Sequence, residues 1–177
     1  GEDERVLRAV QTVIGDGLAQ PILIGRPDVV NARLKKIGLN LTIGEDFELV
    51  NPQDDPRFKD YWMLYHSIME RKGVSPEIAK AVVRTRSTVI AALMVKRGEA
   101  DAMLAGLTGR YPKVLQHIID VIGLKNGTPS SLSAVATDMG NYFITDTNVT
   151  ANPTAEQIAT TTIQAAELVK TFGKTPR

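Results

Sequence analysis

Cysteine is absent from the 177 residues, which excludes disulfides and thiolate-held metals. Only two histidines occur, His66 and His117, and neither stands in the short ligand spacing of a metal site. An excess of one charge is missing too: 21 basic residues oppose 20 acidic ones, for a net +1. The two signs are interspersed, whereas a nucleic-acid or membrane-surface protein would gather Lys and Arg on one stretch. No nucleic-acid partner is expected. No apolar run approaches the roughly 20 residues that span a bilayer, and the opening residues do not read as a signal peptide. These absences leave the expectation of a soluble cytoplasmic domain with no membrane partner and no metal of its own.

What is present alternates between two periodicities. Val6, Leu7, Val10, Val13 and Ile14 recur at helical spacing between Asp3 and Gly15, which predicts an amphipathic helix. Pro21–Gly25 is a short apolar run of the kind buried in a parallel sheet. A helix is predicted from Pro27, at a first-turn position, to Gly38, and a strand at Phe47–Asn51. Further helices are expected at Pro56–Lys72, after the Ser75-Pro76 cap, at Thr88–Arg97 up to Gly98, at Pro112–Ile122 and at Pro153–Phe172. Strands are expected at Ala100–Gly106, Leu132–Thr137 and Tyr142–Thr145, the last two flanking a turn at Met139-Gly140-Asn141. Helices of this length between strands imply crossover units and a mainly parallel sheet between helix layers, an α/β fold.

The turn-rich loop Lys125–Pro129 divides the chain into a first lobe, 1–125, and the start of a second, 126–177. Gly1 leads straight into a helix, and Lys174–Arg177 reads as a loop approaching a strand. Both ends therefore suggest a piece of a longer fold.

In open parallel sheets, ligands bind beyond the carboxyl ends of strands. That rule selects three loops. Gly25-Arg26-Pro27 offers a glycine and a helix N-terminus, but it lacks the further glycines of a dinucleotide fingerprint and reads as a tight turn. Gly106, Thr108, Gly109 and Arg110 precede a helix at Pro112. They suit an anionic or carbonyl-bearing ligand, or else form a solvated turn carrying a surface arginine. Asp146, Thr147 and Asn148 follow the last strand, where either turn capping or a ligand would satisfy them. Tyr61, Trp62 and Tyr65 read as core or subunit interface, the two histidines as helix residues, and Arg84 and Arg86 as a solvated face. No reaction follows from these residues alone.

Several segments, in order, resemble the phosphate acetyl/butyryl transferase family: Gly1–Ala9, Pro21–Pro27, Arg71–Val74, Lys96–Met103, and Asp146–Val149 followed by Pro153-Thr154. Within it, Val83–Ile90 and Gly109–Pro112 resemble the phosphotransacetylase-like domain that follows the catalytic part of large bacterial malic enzymes. The resemblance implies a three-layer α/β/α sandwich in two lobes, incomplete at both ends here, with the ligand cleft between them. Active members move an acetyl group between CoA and phosphate, using arginines to neutralise the phosphate. The resemblance sets Met69 and Gln116 opposite two of those arginines, and it puts the family's Ser-Arg pair and aspartate beyond Arg177.

It therefore implies an acetyl-CoA-binding, oligomer-forming regulatory domain without transferase turnover, built around the two loops above. The partners it implies are a CoA ester, a malic-enzyme catalytic domain in the same polypeptide, and further copies of the chain. NADP and a divalent metal would belong only to that catalytic domain. An active phosphate acetyltransferase and a purely structural assembly module are the alternatives.

Overall fold

The computed structural model describes residues 1–124, 127 and 129–176. They group into two compact units, Gly1–Ile122 and Gly123–Arg177. Of the boundary loop read from the sequence, Lys125, Asn126 and Thr128 lie outside the described residues.

The first unit contains α1 (Glu4–Gly15), β1 (Ile22–Ile24), α2 (Pro27–Ile37), β2 (Glu48–Val50), α3 (Phe58–Met69), α4 (Pro76–Thr85), α5 (Ser87–Arg97) and α6 (Tyr111–Ile122). Local chemistry sets the helix ends. The Asp3 carboxylate accepts from the Arg5 amide to start α1, and the Ser75 hydroxyl accepts from the Ile78 amide to start α4, each satisfying a donor the helix leaves free. Gly38 and Gly98 end α2 and α5 at φ 70° and 73°, a left-handed conformation that glycine adopts without strain. The C-terminus of α3 tightens into a 3₁₀ turn, Glu70–Lys72, before Gly73.

β1 and β2 pair in parallel, with Leu23 opposite Leu49 and Ile24 opposite Val50. Side chains alternate across a strand, and this ribbon separates two cores accordingly. Leu23 joins Leu7, Val10, Val30, Leu34 and Phe47 from the α1–α2 side, with Leu49 packed against that cluster. Val50 joins Tyr61, Tyr65, Val83, Val89, Ile90 and Leu93 on the other side, where Ile22 and Ile24 also pack. Helices thus cover both faces of a central parallel ribbon, the α/β/α layering of the expected fold. Tyr61 and Tyr65 are core residues, which settles one of the two roles open to the aromatic set.

The strand expected at Ala100–Gly106 does not form. The segment carries no ladder pairing, and Leu104 is fully exposed. An apolar run becomes a strand only where a neighbour accepts its backbone bonds, and among the described residues β1 pairs with β2 alone.

The second unit is a hairpin followed by a helix. β3 (Leu132–Thr137) and β4 (Gly140–Thr145) pair antiparallel. β4 begins two residues earlier than its apolar pattern suggests, because Thr137 pairs directly with Gly140. The Thr137 hydroxyl also donates to the Gly140 carbonyl at 2.9 Å, and Gly140 takes φ 142°. α7 (Ala155–Thr171) opens with a capping box in which Thr154 and Gln157 satisfy each other's amides. Phe172 closes it against Phe143, with ring centroids 5.7 Å apart.

Candidate functional site

The loop after β1 is already filled by the protein itself. Glu2 accepts from the Arg26 amide, from Arg26 Nε and from Arg26 Nη2, each at 2.9 Å. A Cβ added to Gly25 would stand 2.9 Å from the Glu2 Cγ, so only glycine lets the carboxylate sit this close. The charge-assisted bonds from Arg26 hold the Glu2 carboxyl down to about 2. The anion-binding geometry of a helix N-terminus is thus present at α2, and its occupant is an internal carboxylate. The tight-turn reading of this loop stands.

The loop before α6 differs. Gly106, Thr108, Gly109 and Arg110 are all exposed. Gly106 and Gly109 take φ 108° and 93°, conformations closed to most side chains, so both glycines are required by the path of the chain. The Arg110 carbonyl accepts from the Lys113 and Val114 amides and so forms the first bonds of α6. Among the described residues the Arg110 guanidinium makes no ion pair, unlike Arg5, Arg26, Arg57 and Arg97. The loop presents a free cation, a hydroxyl and two glycines to solvent.

In the second unit, the bend after β4 concentrates polar groups. Asp146 is the one non-glycine residue with positive φ, 50°, among the described residues. Its amide donates to the Ser131 carbonyl at 2.7 Å, one rung past the Leu132–Thr145 pair. Asp146 Oδ1 and Ser131 Oγ are both buried with no hydrogen-bond partner. Thr147 turns back so that its hydroxyl lies 3.1 Å from the Ser133 hydroxyl, while Asn148 is exposed. Local turn capping accounts for the Asp146 amide and leaves its side chain unexplained. Ser131 carries no signal in the sequence; its role depends on which residue the hairpin register places across from it.

α3 and α6 hold Met69 and Gln116, which the resemblance alone sets opposite transferase arginines. Met69 is buried in the larger core with Tyr65 and Val83. Gln116 Nε2 donates to Asp120 Oδ1 at 3.0 Å, and Lys72 Nζ donates to the same oxygen at 2.8 Å. One carboxylate therefore already neutralises the only cation in this contact. Burial lowers the pKa of His117, and the Arg86 guanidinium lowers it further. Arg84 stacks on Phe58, its guanidinium carbon 4.6 Å from the ring centroid. No group of three or more His, Cys, Asp or Glu residues arranged to hold a metal occurs among the described residues. No helix there is long and apolar enough to cross a membrane.

The family model described as phosphate acetyl/butaryl transferase matches residues 1–177. Over its whole length the chain is 49% identical to an NAD-dependent malic enzyme of Rhizobium meliloti, of which it covers 23%. It is 48% identical, over 99% of its length, to an NADP-dependent malic enzyme of Haemophilus influenzae, of which it covers 24%. The crystal structure of a phosphotransacetylase from Streptococcus pyogenes is similar over 97% of this chain and 52% of that one, with TM-score 0.85 and 25% identity. The chain spans about a quarter of the length of the curated relatives it matches.

Proposed function

The chain belongs to the phosphate acetyl/butaryl transferase family, and on that premise we propose that it is the acetyl-CoA-sensing domain of a malic enzyme. The polypeptide around it would oxidatively decarboxylate malate to pyruvate, with NADP and a divalent metal held by its catalytic part. In this reading the domain binds a CoA ester without turning it over and takes part in assembling the oligomer. Coupling between this site and the malate site is then allostery in the strict sense.

The observation that carries the proposal is 46–49% identity to four malic enzymes along the whole chain, against 30% and 26% to two phosphate acetyltransferases and 25% to the phosphotransacetylase of the same fold. Three side chains add chemical support. Acyl transfer to and from phosphate needs fixed cations at the anion; Met69 is spent on core packing and Gln116 on Asp120. Arg110 remains as an exposed cation beside two glycines, suited to an anionic group of the ligand.

The test is malate oxidation by the intact polypeptide as acetyl-CoA is titrated in. Inhibition that weakens roughly tenfold in Arg110→Ala, the size expected for one charge-assisted hydrogen bond, supports the reading. Malate oxidation indifferent to acetyl-CoA contradicts it. A second reading, an active phosphate acetyltransferase, draws on the TM-score of 0.85 to a phosphotransacetylase. It requires release of CoA from acetyl-CoA in the presence of phosphate.

A further inference from the structure

We draw no further inference here: the strongest candidate, the surface hollow lined by Gln53, Arg84 and Thr85 at the C-terminal end of α4, carries nothing, because Arg84 is already accounted for by its stacking on Phe58 and by its place in the last turn of the helix, where a cation is favoured, and nothing in the structure shows what would occupy the hollow.

Discussion

Glu2 shows what a single residue can settle. Its carboxylate fills the helix N-terminus at Gly25-Arg26 and is held at about 2 by Arg26. A carboxyl whose folded pKa lies below its unfolded value adds stability above the unfolded value, and that contribution is lost as pH falls through the folded one. Glu2→Gln should therefore lower the melting temperature by a few degrees at neutral pH, the scale of a partly exposed pair screened by solvent. The difference from the parent should shrink from about pH 4.5 and vanish near pH 2; a pH-independent difference would mean the loss comes from packing. This internal occupant was invisible in the sequence, because Glu2 and Arg26 lie 24 residues apart and only the fold joins them. Arg110, by contrast, was legible as a candidate, since a cation between a Gly-Leu-Thr-Gly turn and a proline-bearing helix has few local partners.

Among the elements, the helices were the most readable, because their signals are local. Ser75 and Pro76 open α4, Gly38 and Gly98 close α2 and α5, and Thr154 with Gln157 caps α7. Thr154→Ala should cost about 1 kcal/mol by removing one side of that box, measured by urea denaturation. Leu93 lies fully buried on α5, and Leu93→Ala should cost about 2–5 kcal/mol through lost burial and the cavity left behind. A cost under 1 kcal/mol would show that α5 is not packed as described. Strands were less legible. Ala100–Gly106 has the composition of a buried strand yet pairs with nothing among the described residues, because ladder formation depends on a neighbour that composition cannot supply. The Ser131–Asp146 rung was hidden for a related reason: register across a hairpin, unlike periodicity along a strand, follows from the turn that joins it.

For the molecule as a whole, alternation within two three-residue strands sorts the first unit into a layer of α1 and α2 and a layer of α3 to α6. The family fold was legible from ordered segments spread over the whole length. Function was less so, because the same fold carries transfer chemistry in some members, and only single positions decide whether it survives. In the proposed reading, Met69 in the core and Gln116 on Asp120 are two such positions. The central claim is binding without turnover. Its most direct measurement is phosphate-dependent release of CoA from acetyl-CoA by the intact polypeptide, with acetyl-CoA binding measured in the same sample. Saturable binding with no CoA released above the uncatalysed background is the predicted result; steady release that rises with phosphate would contradict it and make the protein an active transferase.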